Sequence, residues 1–312
     1  MYYLSMTLVA DSHPDVQSVE QGDDADVWLI TGCSSGFGAA LAEAALKRGH
    51  RVVATARRLD PLQRLADSWP GQVLPLQLDV TNRDNIRMVV EQVLAELGRV
   101  DVLVNNAGRV HFGAVEEVAD ADLRALFELN VFGPANLCRA VLPHMRERGR
   151  GTIVQMSSMG SFYISTGFSS YTASKAALEG MSATLAMEVA PFGIRVIILE
   201  PGGHRTSVFS PEQIGMAPPL PAYRDIVGPT WDFVTGLDGH QEGDPVRAAE
   251  IVVNVVGDPE PPLRLPLGND AVDLIGAALN SIGDNLRRWE KVARSTAFGA
   301  DAVPRPSDPA TK

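Results

Sequence analysis

This sequence predicts an α/β fold: a doubly wound, seven-stranded parallel sheet in one domain, with helices on both faces. Three observations predict it. From residue 27 onward, short β-branched runs alternate with longer amphipathic stretches, the pattern of βαβ units. Those runs are mostly apolar, which suits strands of a parallel sheet covered on both faces. A glycine-rich turn lies between the first run and the first amphipathic stretch, where a crossover to the next parallel strand begins.

The strands are expected at 27–31, 51–56, 73–78, 100–105, 152–156, 194–200 and 263–267. Helical periodicity occupies 36–49, 60–68, 82–97, 120–148, 168–191, 244–257 and 270–294. Only about 203–243 breaks the rhythm. That stretch is rich in Pro and Gly and carries Phe209, Tyr223, Trp231 and Phe233, so it reads as an irregular lid over a substrate pocket. The domain spans 27–300, between a solvated N-terminal tail at 1–26 and a Pro- and Ala-rich C-terminal tail at 301–312.

Composition narrows the function. The chain has 312 residues, 45% hydrophobic and 21% charged, enough to bury a full core. Its net charge of −11 repels nucleic acid and anionic lipid, and no apolar run approaches the ~20 residues that span a bilayer. Nucleic-acid and membrane partners are therefore not expected. Cys33 and Cys138 form no disulfide framework, which fits a reducing, cytoplasmic setting. The six histidines show no metal-binding spacing, so no metal is expected.

The first turn reads Thr31-Gly32-Cys33-Ser34-Ser35-Gly36-Phe37-Gly38. Its glycines permit a tight turn and close approach to a pyrophosphate, and the following helix offers free N–H groups at its positive end. The same residues also suit an ordinary α/β turn. The spacing Gly-x3-Gly-x-Gly resembles the loop of the short-chain dehydrogenase/reductase family. At the end of the second strand stand Ala56, Arg57 and Arg58, with no carboxylate to take an adenosine ribose hydroxyl. A guanidinium pairs with a 2′-phosphate, so Arg57, with Arg58 beside it, points to NADP(H). Asp79 and Val80, after the third strand, resemble the family's adenine-ring contact; a helix cap in this region is assigned instead to Thr81.

Tyr171 and Lys175 lie four residues apart at the start of a helix, on one face. A phenol is a poor acid or base at neutral pH, and a neighbouring ammonium is expected to draw its pKa down. Ser158, thirteen residues before Tyr171, closes the fifth strand, where its hydroxyl can hold a substrate oxygen or merely make a turn. Ser157 competes for that role, but the spacing of Ser158 resembles the family's. Asn105-Asn106-Ala107-Gly108 at the end of the fourth strand and Asn130 in a helix resemble the family's Asn-Asn-Ala-Gly motif and the fourth member of an Asn-Ser-Tyr-Lys tetrad. Pro201-Gly202 and Thr206 resemble the segment running along the nicotinamide carboxamide. His204, within that segment, is unusual: it reads as solvent-facing or as a substrate contact.

The resemblance covers roughly 27–270, with every major motif in chain order. It implies a Rossmann fold, bound NADP(H), and hydride transfer interconverting a ketone or aldehyde with an alcohol. Tyr171 is then the general acid/base, Lys175 holds the nicotinamide ribose and passes protons through water near Asn130, and Ser158 polarises the carbonyl. The substrate is expected to be a small, largely apolar carbonyl or alcohol compound, with Phe162, Tyr163, Phe209, Tyr223, Trp231 and Phe233 as candidate pocket residues. Helices 120–148 and 168–191 are the expected surfaces of a homodimer or homotetramer. The alternative function is a noncatalytic NADP(H)-binding redox sensor.

Overall fold

The computed structural model describes residues 25–210 and 214–298. The chain alternates strictly at first: β1 (Val27–Thr31), α1 (Gly36–Lys47), β2 (Arg51–Ala56), α2 (Asp60–Ser68), β3 (Val73–Gln77), α3 (Arg83–Leu97) and β4 (Val102–Asn105). A two-residue strand β5 (His111–Phe112) follows, then α4 (Asp120–Phe127), a π-helical turn (Glu128–Phe132) and α5 (Gly133–Arg148). Next come β6 (Gly151–Met156), α6 (Ser169–Val189), β7 (Ile194–Pro201) and the short β8 (Gly215–Met216). The chain continues through α7 (Arg224–Gly236), α8 (Pro245–Gly257), β9 (Arg264–Leu267) and α9 (Asn269–Arg294).

Seven strands form one parallel sheet in the order β3-β2-β1-β4-β6-β7-β9, with bounds within two residues of those expected. Chain direction across the sheet reverses between β1 and β4, so a crevice opens at their carboxyl ends. The two-residue period of a strand sorts the core. Trp28 and Ile30 of β1 pack with Leu41 of α1 and Val252 of α8 on one face. Val27 and Leu29 pack with Val89 of α3, Leu137 of α5 and Ile153 on the other.

Two expectations are corrected here. The single helix at 120–148 is interrupted, because Pro134 has no N–H to return to the carbonyl of Asn130. The ladder slips to a wider turn in which the Gly133 N–H bonds Glu128 O, five residues back. The lid is not irregular either. It contains the thirteen-residue α7, whose Gly228 and Pro229 mask its periodicity. Packing forms it nonetheless: Val227, Trp231 and Val234, on one helical face, join a small core with Phe112 and Phe168. The Trp231 and Phe112 ring centroids are 5.2 Å apart.

The N-terminal tail assigned to 1–26 lies outside the described residues apart from Ala25 and Asp26. Asp26, just before β1, pairs with Arg150, just before β6, at 2.8 Å. The tail at 301–312 also lies outside them. Among the described residues, no helix is long and apolar enough to cross a membrane.

Candidate active site

A cleft of about 440 Å³ opens at the carboxyl ends of β1, β2, β3, β4, β6 and β7. Its floor is tied together by Thr31, the last residue of β1. The Thr31 hydroxyl accepts the N–H groups of Asn106 (3.0 Å) and Ala107 (2.9 Å) and donates to Val104 O (3.2 Å). Asn106 returns its Nδ2 amide to Thr31 O at 2.8 Å. The Asn-Ala-Gly segment after β4 is thus fastened to the glycine turn after β1.

Within that turn Gly32 and Gly36 have φ of +73° and +58°, conformations that glycine tolerates and other residues resist. Gly32, Ser34, Ser35, Gly36 and Phe37 line the cleft; Gly38 does not. A Cβ on Gly38 would stand 2.3 Å from Gly32 O, so this glycine serves close packing of α1 on the turn. Ser35 is the N-cap of α1 but makes no side-chain cap, leaving the helix end and its hydroxyl facing the cleft. A Cβ at Gly36 would approach Thr206 to 3.4 Å and narrow the gap across the cradle.

Arg57, at the end of β2, lines the same cleft, whereas Arg58 points elsewhere on the exposed surface. Asp79 and Val80 line it too. Asp79 Oδ1 accepts from the Thr81 N–H and hydroxyl. The cap of α3 is Asn82, which accepts from Asn85 N at 3.0 Å, so the assignment of that cap to Thr81 is corrected.

At the other end of the cleft β6 and α6 converge. Ser158 Oγ accepts from Gly160 N at 3.0 Å, which leaves its own proton free to be donated into the cleft. Ser157 also borders the cleft but is buried within the sheet end. Tyr171 is half-buried below Ser158, and a Cβ on Gly160 would stand 3.3 Å from Ser158 Oγ and 3.4 Å from the Tyr171 ring. Lys175 is 4% exposed, donates from Nζ to Met156 O at 2.6 Å, and lies 5.8 Å from the centre of the Tyr171 ring.

The electrostatics depart from expectation. Burial raises the Tyr171 phenol above its ordinary value and the Ser158 hydroxyl pulls it back, while Lys175 is turned toward the strand end. Burial pushes the Lys175 ammonium down to about 8, against the opposing charge of Glu179 one helical turn away.

Asn130 sits in the π-turn, 1% exposed. Its Nδ2 donates to Arg109 O (3.0 Å) and Ser174 Oγ (3.1 Å), and its Oδ1 accepts from Arg109 N (3.1 Å). Gly108 lies between Asn130 and the lysine: a Cβ there would be 3.2 Å from Asn130 Oδ1 and 3.6 Å from Lys175 Nζ.

Sequence reasoning missed Asp270. Its Oδ2 accepts the Gly203 N–H at 2.7 Å, and a Cβ on Gly202 would overlap it at 2.0 Å. The only signal was the pair Gly202-Gly203, because the acid lies 67 residues away. His204 corrects the solvent-facing reading. It is 5% exposed, packed 4.9 Å from the Phe37 ring and against Gly243.

A dinucleotide fits this donor set, with a glycine-lined helix N-terminus in the middle and a guanidinium and a lysine toward opposite ends. Comparison with known proteins decides the family: residues 26–215 match the model described as short chain dehydrogenase. The chain belongs to the short-chain dehydrogenase family.

The chain is 37% identical over 276 residues to oxidoreductase BOA17 of Botryotinia fuckeliana, covering 87% of this chain and 99% of that one. It is 33% identical to the 3-ketodihydrosphingosine reductase of Bacteroides thetaiotaomicron, over 84% of this chain and 94% of the relative. Among solved structures, a short-chain dehydrogenase from Streptomyces avermitilis superposes with a TM-score of 0.83 at 50% identity, covering 89% of this chain and all of that one. The family is one of NAD(P)(H)-dependent oxidoreductases, and the fold is its Rossmann fold.

Of the expected pocket aromatics, Tyr223 and Trp231 pack in the small core that touches Tyr171. Phe162 is half-buried, Tyr163 is 40% exposed and Phe233 67% exposed. Phe233 therefore turns away from the pocket. The Phe209 side chain lies outside the described residues.

Proposed function

We propose that this protein is an NADP(H)-dependent carbonyl reductase that interconverts a ketone or aldehyde with the alcohol. The observation that carries the reading is the convergence of Ser158, Tyr171 and Lys175 at one end of the cleft whose other end holds Arg57. The substrate is a largely apolar carbonyl compound, which the core of Phe112, Phe168 and Trp231 beside Tyr171 favours. The names of two relatives, the 3-ketodihydrosphingosine reductase and a 3-oxoacyl-[acyl-carrier-protein] reductase of Thermotoga maritima, support reduction of a ketone.

When bound in this cleft, NADP(H) would supply the hydride chemistry at the carbonyl carbon. Ser158 donates its free proton in a hydrogen bond to the carbonyl oxygen and holds it beside Tyr171. The Tyr171 hydroxyl, neutral because burial keeps its pKa high, delivers its proton to that oxygen as charge develops. Lys175 is the cation nearest the phenol ring and stabilises the phenolate left behind. Asn130, with three bonds fixed, orients the Gly108-Arg109 backbone and leaves one Oδ1 lone pair for a water that returns the proton. Arg57 would pair with the 2′-phosphate, and the end of α1 would hold the pyrophosphate.

Fluorescence titration of NADPH and NADH against wild-type protein and Arg57→Ala tests the cofactor reading. Preferential NADPH binding, lost by one to two orders of magnitude in the variant with NADH binding unchanged, is expected. Equal loss for both nucleotides contradicts it.

A further inference from the structure

Helix α6 carries a second buried charge beyond Lys175. Tyr171, Lys175 and Glu179 follow one another at steps of four, on one face of the helix. Glu179 is 5% exposed, and Ser182, three residues on, is buried on the same face. The proton transfer from Tyr171 gives Glu179 no part, yet a buried carboxylate is costly unless it is paired.

Its partners come from the sheet. Ile198 of β7 packs with Ala183 and Ala186 of α6, so Glu200, two residues further on, turns to the same face. Arg264 of β9 is the register neighbour of Ile198 and turns there too. Its Nε lies 3.2 Å from Glu179 Oε2 and 3.4 Å from Glu200 Oε1. Glu179 Oε1 is buried with no hydrogen-bond partner among the described residues. One guanidinium therefore faces two carboxylates, which leaves one negative charge uncompensated once both are ionised.

Lys175 is the group that balances it. Its Nζ is buried one helical turn from Glu179, and its hydrogen bond goes to the neutral carbonyl of Met156. Once both carboxylates are ionised, the four side chains sum to zero only with the lysine charged. The other charges on elements packed against α6 are engaged or exposed: Asp120 pairs with Arg124 (2.7 Å), Asp122 lies 3.7 Å from His111 of β5, and Glu128 faces solvent. We propose that Glu179 is a positioning residue, the buried counter-charge that keeps Lys175 an ammonium beside the Tyr171 ring. The proposal rests on the reading of Lys175 as the cation that stabilises the phenolate. Arg264 competes with Lys175 for the same carboxylate, so loss of Glu179 and loss of Arg264 act on the lysine with opposite signs.

The lysine can be titrated directly. The chain has only Lys47, Lys175, Lys291 and Lys312, so lysine labelled with carbon-13 gives few side-chain signals, and Lys175→Met identifies the one from Lys175. Its midpoint in the wild type is expected at about 8. Glu179→Gln, which keeps an acceptor for Arg264, should lower that midpoint by about one pH unit, and Arg264→Gln should raise it. NADPH oxidation should fall as the lysine loses its proton, and in Glu179→Gln that fall moves to lower pH together with the midpoint. An unchanged midpoint in folded Glu179→Gln overturns the proposal. Arg264 is 37% exposed, so Arg264→Gln decides alone if the other variant does not fold, and a lowered or unchanged midpoint there overturns the proposal equally. A wild type that reduces no ketone overturns the carbonyl-reductase reading by itself, because the midpoints are read without substrate.

Discussion

Asp270 at the start of the C-terminal helix accepts the backbone N–H of Gly203 at 2.7 Å, tying the last helix to the strand end that borders the cofactor cleft. Hydrogen bonds to a charged group contribute about 1.5–3 kcal/mol. Asp270→Ala therefore frees the segment from Gly202 to Thr206, and dinucleotide binding should weaken about tenfold or more. Asp270→Asn retains an acceptor and should recover most of it. Titration of both variants checks this; equal binding by all three proteins would show that the tie is not used.

Two glycine-to-alanine changes should act with opposite signs. At Gly38 the new methyl would meet Gly32 O at 2.3 Å and Asn106 Nδ2 at 2.5 Å, a backbone and a fixed amide that cannot yield. Gly38→Ala should lower the melting temperature and abolish dinucleotide binding. Gly180, inside α6, has nothing within 4 Å, so Gly180→Ala should stabilise by about 0.5–1 kcal/mol. Denaturant melts of the two variants decide it.

A buried carboxyl gives a pH dependence. Glu200, at the end of β7, is 1% exposed; burial and the nearby Glu179 raise it to about 7, and Arg264 at 3.4 Å only partly opposes them. Below about 4.5 the group is protonated whether folded or unfolded. Between there and about 7 the folded protein keeps a proton that the unfolded chain has released, so stability falls as pH rises through this window. Glu200→Gln has no proton to lose. Its stability advantage should grow by roughly 1–3 kcal/mol from pH 4.5 to 8, read by urea melts at both pH values. A constant difference would contradict the assignment.

The sheet was legible because each strand carries its own evidence. Trp28 and Ile30 alternate with Val27 and Leu29, and no distant residue is needed to see that both faces are covered. The glycine turn, Ser158, Tyr171 and Lys175 were legible for a similar reason, being short motifs beside strand ends. What escaped depends on tertiary contact. Helix α7 forms because Trp231 finds Phe112, despite Gly228 and Pro229. His204 is buried because Phe37 and Gly243 close over it. Lys175 chooses Met156 O, a partner invisible in a four-residue spacing, and so the phenol is governed by burial and Ser158.

In the proposed mechanism Tyr171 gives the proton while the rest of the cleft binds cofactor. The direct measurement is NADPH consumption over a panel of apolar ketones by wild-type protein and Tyr171→Phe, with NADPH binding titrated in both. Turnover by the wild type, a loss of three orders of magnitude or more in the variant, and unchanged binding are predicted. Full turnover by Tyr171→Phe would contradict the account.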